Sequence, residues 1–227
     1  VLCSFLGMVI NMLAFFKGLE LSTPVNSSVL ITLAPILVFI FSALILKEKI
    51  RVMKAVGIIA GFIGALILIL YTAKSGMNAP NIPLGNSLFI LNSASYGLYL
   101  VLIKPMIAKY DIITLLKWLF TIGFLLNLPI TYNDFTNINF TTLPLYEAIL
   151  PIVYVVVGTT FFTYLLNAYA LKNLTASSVS SFIYLQPIVG IVYAVGTKSD
   201  TLSLVNVFGM LLIFLGIYLV TKKVETI

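Results

Sequence analysis

Residues 21–64 read LSTPVNSSVLITLAPILVFIFSALILKEKIRVMKAVGIIAGFIG, and residues 174–216 read LTASSVSSFIYLQPIVGIVYAVGTKSDTLSLVNVFGMLLIFLG. The two stretches carry matching residues at one offset of 152 positions. Pro35 pairs with Pro187, Glu48 with Asp200, Gly57 with Gly209 and Gly64 with Gly216. Ser28/Ser180, Ile31/Ile183, Leu33/Leu185, Ile36/Ile188 and Phe62/Phe214 fall at the same offset. Upstream, a slip of one residue sets Leu21-Ser22-Thr23 beside Leu174-Thr175-Ala176. Apolar matches arise by chance in such a chain. A Pro, acid, Gly, Gly series at constant spacing does not arise so readily, so the chain holds an internal repeat.

The solvent around that repeat is lipid. Charged residues make up 9% of the 227 positions, against about 25% in an ordinary soluble domain. Hydrophobic residues make up 61% and the mean hydropathy is +1.14. So few charges cannot clothe a water-facing surface. Runs without charge cover 1–16, 21–46, 55–73, 75–103, 118–133, 148–171, 173–197 and 201–221. A spanning helix needs about 20 apolar residues. Run 75–103 opens on Gly, Pro and Asn, so its helix is expected from near Leu84. Run 118–133 is expected to extend back to Ile112, with Lys117 snorkelling at the helix end. The chain therefore reads as an all-α, polytopic transmembrane bundle of eight helices.

Lysines and the single arginine set the orientation. Ten of the 13 lie on one set of alternating loops: Lys47, Lys49, Arg51, Lys54, Lys104, Lys109, Lys117, Lys172, Lys222 and Lys223. Lys17, Lys74 and Lys198 make up the other set. The richer side is expected to be cytoplasmic, with the C-terminus inside. Loop 132–146 carries no Lys or Arg and is expected outside. The turn after the first Pro helix (KEKIRVMK) is then cytoplasmic, and the matching turn GTKSDT is external. The two copies have opposite orientations. Inverted repeats of this kind mark secondary transporters, whose substrate site lies near the midplane between the repeats.

Residues 14–50, followed by 54–69, resemble the EamA domain of the drug/metabolite transporter superfamily, and residues 167–220 look like a second copy. The shared pattern is a short polar turn, a helix with small residues and then Pro, an acidic turn, and a Gly-rich helix. The resemblance implies ten helices in two inverted five-helix repeats, of which the eight here would be the third to the tenth. Residues 1–73 would end the first repeat, 74–84 would link, and 85–223 would form the second. The absence of a leading Met fits a chain lacking two helices. The resemblance also implies export of a small metabolite or drug across the cytoplasmic membrane by alternating access. The acid at Asp200 departs from the Glu usual there, which leaves the role of that outer turn open. A non-transporting or degenerate membrane subunit is the alternative.

Other classes lack their residues. There is no His and one Cys, Cys3, so the commonest general base and metal ligand are missing. No metal site, cofactor or intramembrane enzyme is expected, and no ring of charge or filter-like loop suggests a channel. The net charge of +6 is loop charge, not a nucleic-acid surface. A small-molecule substrate and the bilayer are the expected partners, with a homodimer open to the assembly. The Ile-, Asn-, Lys- and Tyr-rich usage points to an AT-rich bacterial genome.

Polar groups inside a span are expensive and tend to line pathways. Asn92, Tyr96 and Tyr99 share a helix face at i, i+4 and i+7. Thr160, Thr163 and Asn167 share another, as do Ser177, Ser181 and Tyr184. Ser28 and Thr32 line up before Pro35, and Asn11 stands alone in the first span. The expected pathway residues are Asn11, Ser28, Thr32, Asn92, Tyr96, Tyr99, Thr163, Asn167, Ser181 and Tyr184. Gln186 is a further amide to place. Close helix packing is the competing explanation for each Ser and Thr. Pro35 and Pro187 are expected to kink their helices, and Glu48 and Asp200 to mark equivalent turns. Lys104 reads as an interfacial lysine. Asn26, Asn139 and Asn173 begin N-x-S/T triplets, of which Asn139 alone falls in a loop expected outside.

Overall fold

The computed structural model describes residues 1–72, 79–138, 144–196 and 203–222. Asp200, Asn139, Lys74, Lys198 and Lys223 lie outside the described residues. Among the described residues, eight helices are long and apolar enough to span a membrane. They are α1 (Leu2–Leu21), α2 (Asn26–Ile45), α3 (Val52–Leu70), α4 (Ile82–Ile107), α5 (Ile112–Thr136), α6 (Glu147–Asn173), α7 (Ala176–Tyr193) and α8 (Leu204–Thr221). Large apolar side chains cover the outside, with Leu44 72% and Leu211 62% exposed. That surface is stable only against hydrocarbon.

Local chemistry sets the helix ends. The Asn81 side chain accepts from the Leu84 backbone N–H and starts α4 at Ile82, two residues before the sequence expectation. Asp111 caps α5 in the same way by accepting from the Thr114 N–H at 3.0 Å. That bond favours the ionised form and holds the Asp111 carboxyl below the usual carboxylate range.

The repeat becomes geometry where α3 meets α8. A Cβ on Gly57 would lie 2.7 Å from the Gly216 carbonyl oxygen, and one on Gly64 would lie 2.7 Å from that of Gly209. The pair is therefore antiparallel, backbone against backbone, as small residues allow in lipid. Exchanging the copies through the 152-residue shift turns one contact into the other.

The two Pro helices break at equivalent places. The α2 span is made of Pro24–Ile31 and Ala34–Ile45, with the break at residues 32–33. In α7 a tighter 3₁₀ turn, Phe182–Leu185, divides Ala176–Ser181 from Gln186–Gly196. Each break comes just before its proline, whose ring clashes with the carbonyl four residues earlier and which has no N–H to give. The carbonyls at the first break find other donors: Leu30 O accepts from the Leu33 N–H at 3.2 Å and from Ser93 Oγ of α4 at 3.0 Å.

The caps of these helices correct the upstream alignment. Thr23 Oγ1 accepts from the Asn26 N–H and Thr175 Oγ1 from the Ser178 N–H, both at 3.2 Å. Thr23 and Thr175 are 152 residues apart, so the offset holds through the caps without a slip.

Candidate functional site

A cavity of about 1090 Å³ lies among α1, α2, α4, α5, α6 and α7. On α4 it is lined by Asn92, Ser93 and Tyr96, 11 to 15 residues from the helix end at Ile107, or about 16–22 Å at 1.5 Å per residue. That is near the middle of the helix. Asn11 lines it on α1, Asn127 and Thr131 on α5, and Thr159, Thr160, Thr163 and Asn167 on α6. Val179, Phe182, Ile183 and Gln186 bring a stripe of α7 to it. No Asp, Glu, Lys or Arg is among the lining residues.

Amides organise the wall. Asn11 Nδ2 donates to the Asn92 carbonyl at 3.3 Å, and Asn92 Nδ2 donates back to the Asn11 carbonyl at 2.8 Å. Asn127 Nδ2 donates to the carbonyls of Met8, at 3.4 Å, and Gly123, at 3.0 Å. Met8 lies in a widened π-type turn, Phe5–Ile10. A second such turn, Tyr154–Phe162, carries Val155, Val156, Thr159 and Thr160 of the α6 lining. Turns of this kind recur at functional sites.

Toward the lysine-rich end, aromatic rings form a floor. Asn167 Nδ2 donates to the Tyr96 hydroxyl at 2.7 Å. Tyr99 packs on Tyr96 and Tyr164, with ring centroids 6.1 and 5.3 Å apart. The Tyr164 hydroxyl donates to the Gly7 carbonyl. Gly7 has no Cβ because one would meet the Tyr99 ring at 2.7 Å.

Beneath the floor, charged side chains tie the acidic turn to the start of α7. Lys47 adopts a φ of 53°, which turns the chain after α2 and lets the Glu48 N–H return to the Ser42 carbonyl at 3.2 Å. Ser177 Oγ then donates to Glu48 Oε2 at 3.3 Å. Lys54 Nζ donates to Thr175 Oγ1 at 3.0 Å. Lys104 Nζ donates to the carbonyls of Leu171 and Leu174 at the end of α6, where a cation suits the helix dipole. Glu48 lies in electrostatic range of both lysines.

The structure brings together Asn11, Asn92, Tyr96, Thr163 and Asn167, with Thr160 and Gln186, around the cavity and places Ser28, Thr32, Tyr99, Ser181 and Tyr184 outside its lining. Ser28 is exposed and bonds its own helix at the Pro24 carbonyl, 2.9 Å away. Thr32 is buried at the helix break and donates to the Val29 carbonyl at 2.5 Å. Tyr99 lies on the correct face of α4 but below the cavity, among the floor rings. Ser181 is fully buried and donates to the Ser178 carbonyl at 2.8 Å. Tyr184 packs over Gly61 of α3, where a Cβ would meet its ring at 2.5 Å. The serine face of α7 thus serves packing, and the stripe beside it lines the cavity. Asn127, Thr131 and Thr159 were not singled out by the sequence. An amide inside the apolar run FLLNLPI was the available signal for Asn127.

The EamA-like transporter family model matches residues 1–70 and 83–222. The chain belongs to the EamA-like transporter family. It is similar to an uncharacterized transporter of Archaeoglobus fulgidus, with 32% identity over 197 residues, 87% of this chain and 67% of the relative. It is also similar to the uncharacterized transporter YyaM of Bacillus subtilis, with 26% identity over 207 residues, 89% of this chain and 66% of the relative. The chain spans about two thirds of these relatives' length. A crystal structure of another protein superimposes with a TM-score of 0.78 at 16% identity, covering 96% of this chain and 75% of that one. That likeness concerns the helical fold. This EamA chain is a multi-pass membrane transporter of the drug/metabolite class, and its partners are the bilayer and a small-molecule substrate.

Proposed function

We propose that this EamA protein is a secondary carrier that exports its substrate by alternating access between two inverted repeats, residues 1–73 and 85–223. The observation that carries the reading is the set of bonds that ties one copy to the other at one end of the cavity. The cavity occupies the middle of the bundle, and the lysine-rich end below it is tied by bonds from Glu48 and Lys54 of one copy to Ser177 and Thr175 of the other. A pathway blocked at one end by contacts between the copies suits a carrier resting in one of two states.

In this reading the lysine-rich end and the C-terminus are cytoplasmic. The Glu48–Ser177 and Lys54–Thr175 bonds form the inner gate. Asn11, Asn92, Tyr96, Thr163 and Asn167 face the substrate. The breaks before Pro35 and Pro187 supply equivalent flexing points in the two copies.

Labelling from each side tests this. In a Cys3→Ser background, Thr163→Cys should react with a membrane-impermeant thiosulfonate added outside intact cells. It should react slowly with the same reagent inside inverted vesicles. Adding Glu48→Gln should raise the inside rate. Fast reaction from both sides without that change would indicate an open pore and contradict the carrier. No reaction from either side would contradict a pathway through this cavity.

A further inference from the structure

We infer that the cavity takes a primary or secondary amine, held through its N–H groups by the side-chain oxygens of Asn11 and Asn92. The inference rests on the carrier reading of the same cavity and adds the chemistry of the cargo.

The orientation of three lining amides, Asn11, Asn92 and Asn127, is decided by their partners. Each NH₂ group donates to backbone carbonyls: Asn11 to Asn92, Asn92 to Asn11, and Asn127 to Met8 and Gly123. A carbonyl can only accept, so nitrogen must sit at that end of each amide. The oxygens are left over. No described group donates to the Oδ1 of Asn11 or Asn92. Asn127 Oδ1 also lacks a donor among the described residues, but it is enclosed and is not offered to a ligand. An acceptor that a ligand strips of water without replacing its partner is costly, and a ligand N–H avoids that cost at Asn11 and Asn92.

Two lining acceptors without a donor select against a carboxylate placed against them, which would set oxygen against oxygen. They also select against a quaternary ammonium, which has no N–H to give. The apolar part of the lining suits the rest of an aryl amine. Phe15, Phe16, Phe120 and Phe124 line the same cavity, and aromatic faces also attract a protonated amine. With no carboxylate in the lining, recognition falls to N–H donation and not to ion pairing.

Protection of a cysteine reads binding without requiring transport. The purified full chain carrying Cys3→Ser and Thr163→Cys is treated with a maleimide in the presence of phenethylamine, its N,N,N-trimethyl analogue or phenylacetate. Phenethylamine at about ten times its Kd should slow labelling about tenfold, and the two analogues should leave the rate unchanged. Equal protection by the trimethyl compound, stronger protection by phenylacetate, or no protection by phenethylamine each overturns the inference. Counterflow of radiolabelled phenethylamine in proteoliposomes separates the two claims. Protection without counterflow would keep the amine site and overturn the carrier. Saturable exchange of another solute that phenethylamine does not inhibit would keep the carrier and overturn the amine site.

Discussion

Helices α3 and α6 are held in opposite ways. In the most apolar window of α3, 39% of residues are buried, against 6% in α6. Two glycines of α3 are driven against the α8 backbone. The buried residues of α6 (Tyr164, Ala168 and Leu171) all fall after its widened turn, Tyr154–Phe162, which has none. The difference separates a scaffold from an element anchored at one end. Backbone-to-backbone contact leaves α3 and α8 no room to slide. The outer part of α6 carries cavity-lining threonines with few neighbours to restrain it. In the carrier account, α3 and α8 stay fixed while α6 and the inner gate change.

Leucine at Gly57 should break the scaffold most severely. A Cβ there already falls 2.7 Å from the Gly216 carbonyl and 2.9 Å from Leu219. Gly57→Leu is expected to abolish a folded peak in detergent gel filtration, whereas Gly57→Ala should cost about 1–3 kcal/mol of overpacking. Thr159→Leu on α6 should fold normally. Equal tolerance at both positions would erase the contrast.

A smaller effect on folding and a large one on transport are expected at Asn92. Asn92→Leu removes a reciprocal bond worth about 1 kcal/mol and one cavity oxygen. Its melting temperature should fall by a few degrees and its counterflow by about tenfold or more. A variant that melts lower but transports normally would make Asn92 a packing residue.

Glu48→Gln tests the gate. It loses a charge-assisted acceptor for Ser177 and the charge between Lys54 and Lys104, a change of about 1.5–3 kcal/mol. Inner-side labelling of Asn167→Cys should quicken about tenfold. An unchanged rate would show that the floor rings alone close this end.

The smallest change expected is Tyr184→Phe. The ring packs over Gly61, and its hydroxyl is buried without a partner among the described residues. Stability should change by about 0.5 kcal/mol or less, and transport should be unaffected. Lost transport would return this hydroxyl to the pathway.

The sequence carried the eight spans and the repeat, because membrane length and matched prolines and glycines at constant spacing are written in residue type. The site was only partly readable. Asn92 and Tyr99 share a face, but depth separated them. Gly7 brings the α1 backbone close at the level of Tyr99, and the cavity ends there. On α7 the rule that polar residues line pathways met a second use of serine. Ser177 and Ser181 are small enough to be fully buried between helices, so the neighbouring stripe with Ile183 and Gln186 reached the cavity. Asn127 was legible as an amide in an apolar run. Its partner, the Met8 carbonyl, is 119 residues away and lies in a widened turn that no local pattern announces.

The most direct test compares two distances in the full chain in lipid nanodiscs by pulsed electron paramagnetic resonance. One pair of spin labels, at Lys49→Cys and Lys172→Cys, crosses the lysine-rich end. The other, at Ile59→Cys and Leu215→Cys, reports on α3 against α8. The account predicts two populations for the first pair, the shorter matching this structure and the longer enriched by Glu48→Gln. It predicts one population for the second. A single, unshifted distance across the lysine-rich end would contradict alternating access through this gate.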